Sequence, residues 1–197
     1  MKVAMLLEFF ERKVLVVGGG KVAYRKAQRL YEAQAQVSCI ALTYVPSFAE
    51  APWECKTKAF EAVDLEGMNF VVAATHDAKV NQEIVNLCKE KGLLSHCVQQ
   101  EVTSDFSFMV QDKVHDLLIA CSTDGKAPGF SKIILEKMIA SLEESDFERF
   151  DIIANLREQI LKSNLQKECL RELYHLSLEE LRERKERYEK NGLWNEK

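Results

Sequence analysis

Apolar and polar positions alternate along the first half of the chain in a pattern typical of strands separated by helices. Short apolar runs predict the strands, and stretches with apolar residues every three or four positions predict the helices between them. Strands separated by helices require right-handed crossovers, which place helices on both faces of a parallel sheet. The predicted elements are strand 14–18, helix 21–33, strand 37–42, an extended piece near 55–60, strand 69–75, helix 78–91 ended by Gly92, and strand 93–98.

After Phe106 the pattern changes to one that favours an antiparallel hairpin. Two apolar pieces, Phe106–Val110 and Leu117–Ser122, are separated by polar residues at 111–113, which predict the turn. A helix over 129–144 is predicted to follow the hairpin.

From Asp146 onward the chain is charged and helix-prone, with apolar residues at helical spacing at Phe147, Phe150, Ile153, Leu156 and Ile160. We therefore predict an α/β first domain over 1–110, a small α+β segment over 111–145, and a C-terminal helical domain over 146–197.

Composition and charge exclude two classes of protein. The chain has 197 residues, a formal net charge of −4 and no basic stripe interleaved with aromatic residues, which argues against binding to nucleic acid. No apolar stretch approaches the roughly 18 residues of a membrane span, and the first eight residues are too few for a signal peptide. We therefore expect a cytoplasmic protein that has neither nucleic acid nor membrane as a partner.

The six cysteines show no spacing typical of a metal site or a redox pair. They are scattered at positions 39, 55, 88, 97, 121 and 169, without a C-x-x-C pair or a cluster with histidine. We expect most of them to be small apolar core residues, and we predict no metal site.

The clearest chemical signal is a glycine-rich turn between the first predicted strand and the first predicted helix. Gly18, Gly19, Gly20 and Ala23 form a G-x-G-x-x-A motif directly after the apolar run 14–17. In such a motif the first glycine allows the tight turn, the second lets the backbone approach a pyrophosphate, and the small third residue packs the helix on the strand. The pyrophosphate then lies on the N–H groups of the first helical turn. The motif predicts a Rossmann-like dinucleotide site, although glycine turns also occur for structural reasons alone.

The end of the second strand does not separate NAD from NADP. An acidic residue there accepts the ribose hydroxyls in many NAD-binding proteins, and an arginine accommodates the 2′-phosphate of NADP. This chain has neither, since the strand ends in Ile40-Ala41-Leu42-Thr43. Thr43 is a candidate for a contact with the ribose or for the start of the turn before Pro46.

The motif belongs to a longer pattern that resembles the precorrin-2 dehydrogenase family, whose members occur free-standing or as the N-terminal part of siroheme synthase. The family typically shows VLVVGGGxVAxRK, AATDDxxVN, DFxxP and SSGGxSP. The corresponding stretches here, in the same order, begin at Val14, Ala73, Asp105 and Ser122. The resemblance covers roughly residues 8 to 190.

The resemblance implies NAD⁺ as the cofactor and removal of two hydrogens from precorrin-2 as the reaction, giving sirohydrochlorin. Some family members also insert Fe²⁺ afterwards. The cofactor contacts that it implies are at Lys21, Val22, Leu42 and Thr43, and the glycine turn adds Gly18, Gly19 and Gly20. Ala74 and Thr75 are further candidates because they lie at the carboxyl end of the fourth predicted strand, where ligands bind on an open α/β sheet. For Thr75 and Asp77 the alternative is a role in capping helix 78–91.

The chain departs from the family pattern at the motif N-V-x-D-x-P, which carries an acid in the family. Here Gln99 lies at the place of the aspartate, His96 at the asparagine and Glu101 at the proline. A glutamine amide neither accepts a proton at neutral pH nor ligates Fe²⁺ as a carboxylate does. Three alternatives follow: Glu101 or Asp105 has taken over, positioning suffices for the oxidation, or the chain binds without catalysing. For Asp105, closing a turn is the favoured role, and for Glu101 simple exposure on the loop.

By the same resemblance, basic and hydroxyl side chains would line the site for the acidic arms of the tetrapyrrole. Precorrin-2 bears eight carboxylates, so an acidic protein needs a local basic lining to bind it. The candidates are Arg25, Lys26, Ser122, Thr123, Lys126 and Lys132, and each lysine or arginine is individually also an ordinary surface charge.

The sequence thus predicts an NAD-dependent precorrin-2 dehydrogenase of siroheme biosynthesis, with weak or absent Fe²⁺ insertion. The alternatives are a catalytically weakened tetrapyrrole-binding or regulatory protein and another NAD-dependent oxidoreductase. Since family members pair through the segment 106–122, a homodimer is expected as well.

Overall fold

The computed structural model describes residues 2–99, 101–162 and 167–191. The chain divides into two compact units, residues 1–108 and 109–197, and each is described by itself. The first unit ends two residues before the boundary at 110 that the sequence suggests, and the second boundary at 145 stays a prediction. Residues 163–166 and 192–197 of the predicted helical domain lie outside the described residues.

The first unit is a five-stranded sheet in the order β3-β2-β1-β4-β5 with every strand parallel to its neighbours. This arrangement confirms the predicted α/β fold with a Rossmann-like parallel sheet. Short 3-10 helices occur at Pro46–Phe48 and Ala62–Leu65. The strands and helices are β1 (Lys13–Val17), α1 (Lys21–Glu32), β2 (Gln36–Ala41), β3 (Glu54–Thr57), β4 (Phe70–Ala73), α2 (Ala78–Lys91) and β5 (Leu94–Cys97).

Successive residues of β1 supply two separate cores because side chains alternate between the faces of a strand. Val14 and Val16 pack on one face with Ala23 and Ala27 of α1, and all four are fully buried. The small alanines allow α1 to lie close to the sheet, as the third position of the motif requires. On the other face, Leu15 and Val17 pack with Ile84, Val85 and Cys88 of α2.

The central strand β1 lies between β2 and β4, so the strand order reverses at this point. In open parallel sheets, ligands bind outside the carboxyl ends of the strands at such a reversal. The glycine turn follows β1 at this edge of the sheet, and Ala74 and Thr75 follow β4 at the same edge. The topology therefore brings the residues of the two predicted cofactor segments to one place.

The second unit begins with an antiparallel hairpin, β6 (Val110–Val114) and β7 (Leu117–Cys121). The predicted strand 106–110 and its turn at 111–113 are wrong, because the polar residues 111–113 belong to the exposed part of β6. The turn comes at His115, whose φ of 54° is the left-handed conformation that a two-residue hairpin turn uses. Polarity at 111–113 indicated exposure to solvent and not a reversal of the chain.

The described part of the second unit has four helices after the hairpin: α3 (Pro128–Ala140), α4 (Glu144–Lys162), α5 (Lys167–Leu173) and α6 (Leu178–Asn191). The predicted helix 129–144 therefore ends four residues early, at Ala140. Helices α4 to α6 enclose a small core of their own, formed by Ile152, Leu156, Ile160, Leu173 and Leu181. This core confirms the predicted C-terminal helical structure.

Candidate functional site

Gly18 is required by the close approach of two strand ends. Its φ is 139°, a conformation that residues with a side chain rarely adopt, and a Cβ there would lie 2.2 Å from the carbonyl oxygen of Ala74. Its N–H donates to the carbonyl oxygen of Ile40 at 2.8 Å. The residue thus joins the end of β1 to its neighbours on both sides.

Gly19 is crowded from the side of β2. A Cβ at Gly19 would lie 1.9 Å from the carbonyl oxygen of Thr43. The carbonyl oxygen of Gly19 accepts a hydrogen bond of 2.8 Å from the N–H of Val45. Gly19 therefore fixes the position of Leu42 and Thr43, which are both exposed beside the glycine turn.

Gly20 differs from the other two glycines because space is open around it. A Cβ there would meet only the His76 ring, with its closest atom at 3.6 Å, which is ordinary van der Waals contact. Gly20 is the N-cap of α1, with no side-chain capping hydrogen bond and no acidic residue in the first helical turn. The exposed Lys21 and Val22 follow it.

This arrangement fits a dinucleotide pyrophosphate. The N–H groups in the first turn of a helix lack partners within the helix, and the helix dipole favours an anion there. Because Gly20 has no side chain, the backbone there can come close to such an anion. Crowding within the protein explains Gly18 and Gly19. At Gly20, the absence of a side chain is explained by the space that a bound ligand needs.

The end of β4 is held by a fully buried amide, Asn81 of α2. Asn81 Oδ1 accepts from the N–H of Thr75 at 3.1 Å and from its hydroxyl at 2.8 Å, and Nδ2 donates to the Thr75 carbonyl oxygen at 3.1 Å. Asp77 caps α2 by accepting from the N–H groups of Lys79 and Val80. The polar groups of Thr75 are therefore engaged within the protein, and Ala74 leaves room beside them.

Gln99, at the position of the family acid, belongs to the same network. Its Oε1 accepts a 3.0 Å hydrogen bond from Asn81 Nδ2. The Asn81 side chain thus links Gln99 to Thr75, and Thr75 follows Ala74, whose carbonyl oxygen lies beside Gly18 of the glycine turn. Asn81 was missed as a site residue, although a polar residue among the apolar positions of helix 78–91 was a usable signal.

The two acidic alternatives to Gln99 have different surroundings. Asp105 Oδ2 accepts from the N–H of Ser95 at 2.9 Å and from its hydroxyl at 2.8 Å, while the N–H of Asp105 donates to the Ser95 carbonyl oxygen. These bonds fasten the segment after β5 to the strand, which supports the turn-closing role. Glu101 is exposed and borders an open groove along α2.

The buried His96 forms a cluster with Lys26, Phe106 and Phe108, which are half-buried. The Nδ1–H of His96 donates to the carbonyl oxygen of Phe106 at 3.0 Å, and Lys26 Nζ lies 3.9 Å from the centroid of the Phe108 ring. Burial and then the charge of Lys26 lower the pKa of His96 to about 4. Burial, followed by Arg29 and Arg25, lowers the pKa of Lys26 to about 8.

The candidate residues for the substrate fall in both units. Arg25 is exposed on α1 next to Lys26. In the second unit, Thr123 Oγ1 accepts from the N–H of Ala127 at 3.0 Å, which orders the loop that carries the exposed Lys126. Ser122 Oγ accepts from the N–H of Asp124, and Lys132 forms an ion pair of 3.6 Å with Glu136.

Among the described residues there is neither a cluster of potential metal ligands nor a helix suited to spanning a membrane. No group of three or more histidine, cysteine or acidic residues lies close enough to hold a metal ion there. None of the helices in that part of the chain combines the length and the apolar character that a membrane span needs.

Comparisons with known proteins agree with this site. A family model described as "Putative NAD(P)-binding" matches residues 5–110. Siroheme synthase 1 of Klebsiella pneumoniae is 35% identical over 142 residues, which are 70% of this chain and 30% of the relative. Siroheme synthase of Methylococcus capsulatus is 27% identical over 179 residues, which are 89% of this chain and 38% of the relative. The chain spans about a third of the length of these relatives.

A solved structure matches nearly the whole chain. "SirC, precorrin-2 dehydrogenase" superimposes with a TM-score of 0.72 and 28% identity, over 96% of this chain and 100% of that one. These matches confirm the resemblance that the sequence motifs indicated. Since the family model covers more than half of the residues and includes the glycine turn, the chain belongs to the NAD(P)-binding family that this model describes.

Proposed function

We propose that this protein is a cytoplasmic, NAD-dependent oxidoreductase that converts precorrin-2 to sirohydrochlorin in siroheme biosynthesis. The observation that carries the proposal is the structural match to a precorrin-2 dehydrogenase, because it extends over 96% of this chain and includes both units. In the balanced reaction, precorrin-2 and NAD⁺ give sirohydrochlorin, NADH and one proton.

NAD⁺ supplies the hydride acceptor, and the residues of the first unit hold it. Gly20 and the N–H groups of Lys21 and Val22 receive the pyrophosphate. Leu42 and Thr43 border the adenosine side, and Ala74 leaves room for the nicotinamide ribose. Holding the two reactants in the right geometry lowers the barrier of the chemical step. The entropy cost of bringing them together is already borne by binding.

The proton that accompanies the hydride leaves to solvent in this proposal. Gln99 cannot accept it, Asp105 is held by Ser95 in its turn-closing role, and Glu101 is exposed beside the groove along α2. Positioning, without a dedicated general base, therefore carries the oxidation. Arg25, Lys26, Lys126 and Lys132, with Ser122 and Thr123, supply positive charge and donors for the carboxylates of the substrate.

One observation favours a second function: Gln99 lies where the family carries an aspartate. If oxidation needs a carboxylate at this position, the chain is a tetrapyrrole-binding protein that retains the fold without turnover. The two functions share the substrate and differ in whether NADH appears.

We propose further that the protein is a homodimer formed through the segment 111–145, with residues 146–197 as a helical domain that helps enclose the substrate. Support comes from apolar side chains within the second unit that are about half exposed: Leu118, Phe130, Ile133 and Met138. A second copy of the chain would cover them in an interface on the order of 2,000 Å² or more. Light scattering coupled to size exclusion tests this, since a mass near 22.6 kDa would mean a monomer.

An anaerobic assay tests the oxidation itself. Precorrin-2 and NAD⁺ are mixed with the purified chain, and sirohydrochlorin and NADH are followed by absorption. We expect both to form in equal amounts, and to form much more slowly with Gly20→Val. Binding of sirohydrochlorin without any NADH would support the second function instead.

A further inference from the structure

The orientation of the Asn81 amide is fixed by the backbone of Thr75. The N–H of Thr75 can only donate, so the Asn81 atom that meets it at 3.1 Å must be the oxygen. The carbonyl oxygen of Thr75 can only accept, so the atom that meets it at 3.1 Å must be the nitrogen. Two independent contacts thus assign the two ends of this fully buried side chain.

The orientation of the Gln99 amide follows from that of Asn81. Asn81 Nδ2 carries two protons, one directed to Thr75 and the other to the side chain of Gln99 at 3.0 Å. The partner atom on Gln99 must therefore be an acceptor, Oε1. Among the described residues nothing accepts from Gln99 Nε2, so the end of this half-buried amide that remains available to a ligand is a donor of two N–H groups.

The sheet edge therefore presents a polarity at Gln99 opposite to that of a carboxylate. An aspartate at this position would offer oxygens that accept hydrogen bonds or bind a cation, and it would repel an anion. The amide nitrogen offers hydrogen-bond donors and no negative charge. Such a group recognises an acceptor oxygen.

We infer that Gln99, held by Asn81, is a substrate-positioning donor that binds a carboxylate arm of the tetrapyrrole. The inference rests on the proposed function, and it gives Gln99 a role where the sequence suggested only the loss of an acid. Asn81 acts through Gln99 as a second positioning residue, and it also couples the substrate contact to the Thr75 turn at the end of β4.

The first test is Gln99→Glu, which keeps the side-chain length and the hydrogen bond from Asn81 but replaces the donor with a negative charge. Binding of sirohydrochlorin, which retains all eight carboxylates, is measured by equilibrium dialysis. We expect its affinity to fall about tenfold or more, the loss that accompanies removal of a hydrogen bond to a charged group. The affinity for NAD⁺ should stay the same.

The matched control is Gln82→Glu, which makes the same change on the exposed surface of α2, where Gln82 Nε2 donates to Asn86. It should bind sirohydrochlorin as wild type does. In turnover, Gln99→Glu should raise KM for precorrin-2 more than it lowers kcat. An unchanged sirohydrochlorin affinity, or a raised kcat at unchanged KM, would overturn the inference.

The second test reads the amide orientation without a ligand or activity. In side-chain amide spectra of ¹⁵N-labelled wild type, the Asn81 protons should exchange slowly with solvent and the Gln99 protons quickly. In Asn81→Asp the new carboxylate can only accept, so the Gln99 amide should turn and its protons should become protected. Circular dichroism checks that this variant folds, and protected Gln99 protons already in wild type would contradict the inference independently of it.

The two tests separate this inference from the proposed function. If wild type binds sirohydrochlorin but forms no NADH, the oxidation fails while the donor role is still measured by dialysis. If wild type oxidises precorrin-2 but binds sirohydrochlorin no more tightly than Gln99→Glu does, the substrate contact is overturned while the proposed function stands, and the amide spectra show whether the orientation of Gln99 is nevertheless correct.

Discussion

The two halves of the carboxyl edge of the sheet are built by different means. At the glycine turn that follows β1, backbone atoms crowd one another, and a Cβ at Gly18 or Gly19 would collide with the carbonyl oxygen of Ala74 or Thr43. After β4 and β5, hydrogen bonds of side-chain amides hold the chain instead. Asn81 supplies the amide that bonds to Thr75 and to the amide of Gln99.

This difference explains why Gly18 and Gly19 keep the family residues while position 99 departs from the family aspartate. Backbone crowding favours glycine strongly, so residues 18 and 19 cannot change without a large loss of stability. A side-chain network tolerates any residue that can accept from Asn81, so glutamine can replace aspartate with the fold intact. The side chain at position 99 then offers the ligand a hydrogen-bond donor in place of an acceptor, while the fold stays the same.

The largest effect that tests this contrast is expected from Gly18→Ala. The added methyl group meets the Ala74 carbonyl at 2.2 Å in a backbone conformation that alanine rarely adopts. We expect the free energy of unfolding to fall by about 3 kcal/mol or more, as measured by urea denaturation. Gly20→Ala is the matched control and should cost about 1 kcal/mol or less. Equal losses for the two variants would break the distinction between them.

The next effect concerns Gly20, where we expect binding to change and folding to persist. Gly20→Val should lower the affinity for NAD⁺ at least about a hundredfold, because the side chain fills the space that the pyrophosphate approaches. Calorimetry measures the affinity, and circular dichroism checks the fold. Gly20→Ala should give a smaller loss, and unchanged NAD⁺ affinity in Gly20→Val would remove the cofactor from this turn.

On the side-chain half of the edge, His96 should make stability depend on pH. Its pKa in the folded protein is about 4, below the ordinary value of 6.5, because of burial and the charge of Lys26. Between these two values the unfolded chain binds a proton that the folded chain does not, so stability falls as the pH falls.

We expect the free energy of unfolding to drop by about 2 kcal/mol from pH 7 to pH 5. In His96→Asn, which carries the family residue, this part of the drop should vanish. Urea denaturation at the two pH values measures both variants, and an equal drop in wild type and His96→Asn would show that other groups cause it.

The smallest effect is expected at Lys26, whose charge is half buried above the Phe108 ring. Its pKa of about 8 lies below the ordinary 10.5, so the charged form is a net cost to folding at pH 7. Lys26→Met should therefore raise the free energy of unfolding by about 1 kcal/mol while weakening sirohydrochlorin binding. If Lys26→Met is less stable than wild type and binds sirohydrochlorin equally well, Lys26 serves only in packing.

The sequence predicted the first unit well because its signals are local. Apolar runs predicted β1 and β4, Gly92 predicted the end of α2, and the glycine motif predicted the turn after β1. The hairpin turn was placed wrongly because polar residues on an exposed strand look like a turn when tertiary packing is unknown. The sequence also could not show that Asn81 meets Gln99, since the two residues are 18 positions apart and meet only through the packing of α2 beside β5.

The most direct test of the central claim is to measure two activities on one anaerobic preparation of the wild-type protein. We expect NADH and sirohydrochlorin to form in equal amounts from precorrin-2 and NAD⁺. In the second measurement, insertion of Co²⁺ into sirohydrochlorin should stay near the uncatalysed rate, because the amide of Gln99 offers a donor in place of a carboxylate. Metal insertion far above the uncatalysed rate without formation of NADH would contradict both the proposed oxidation and the role assigned to Gln99.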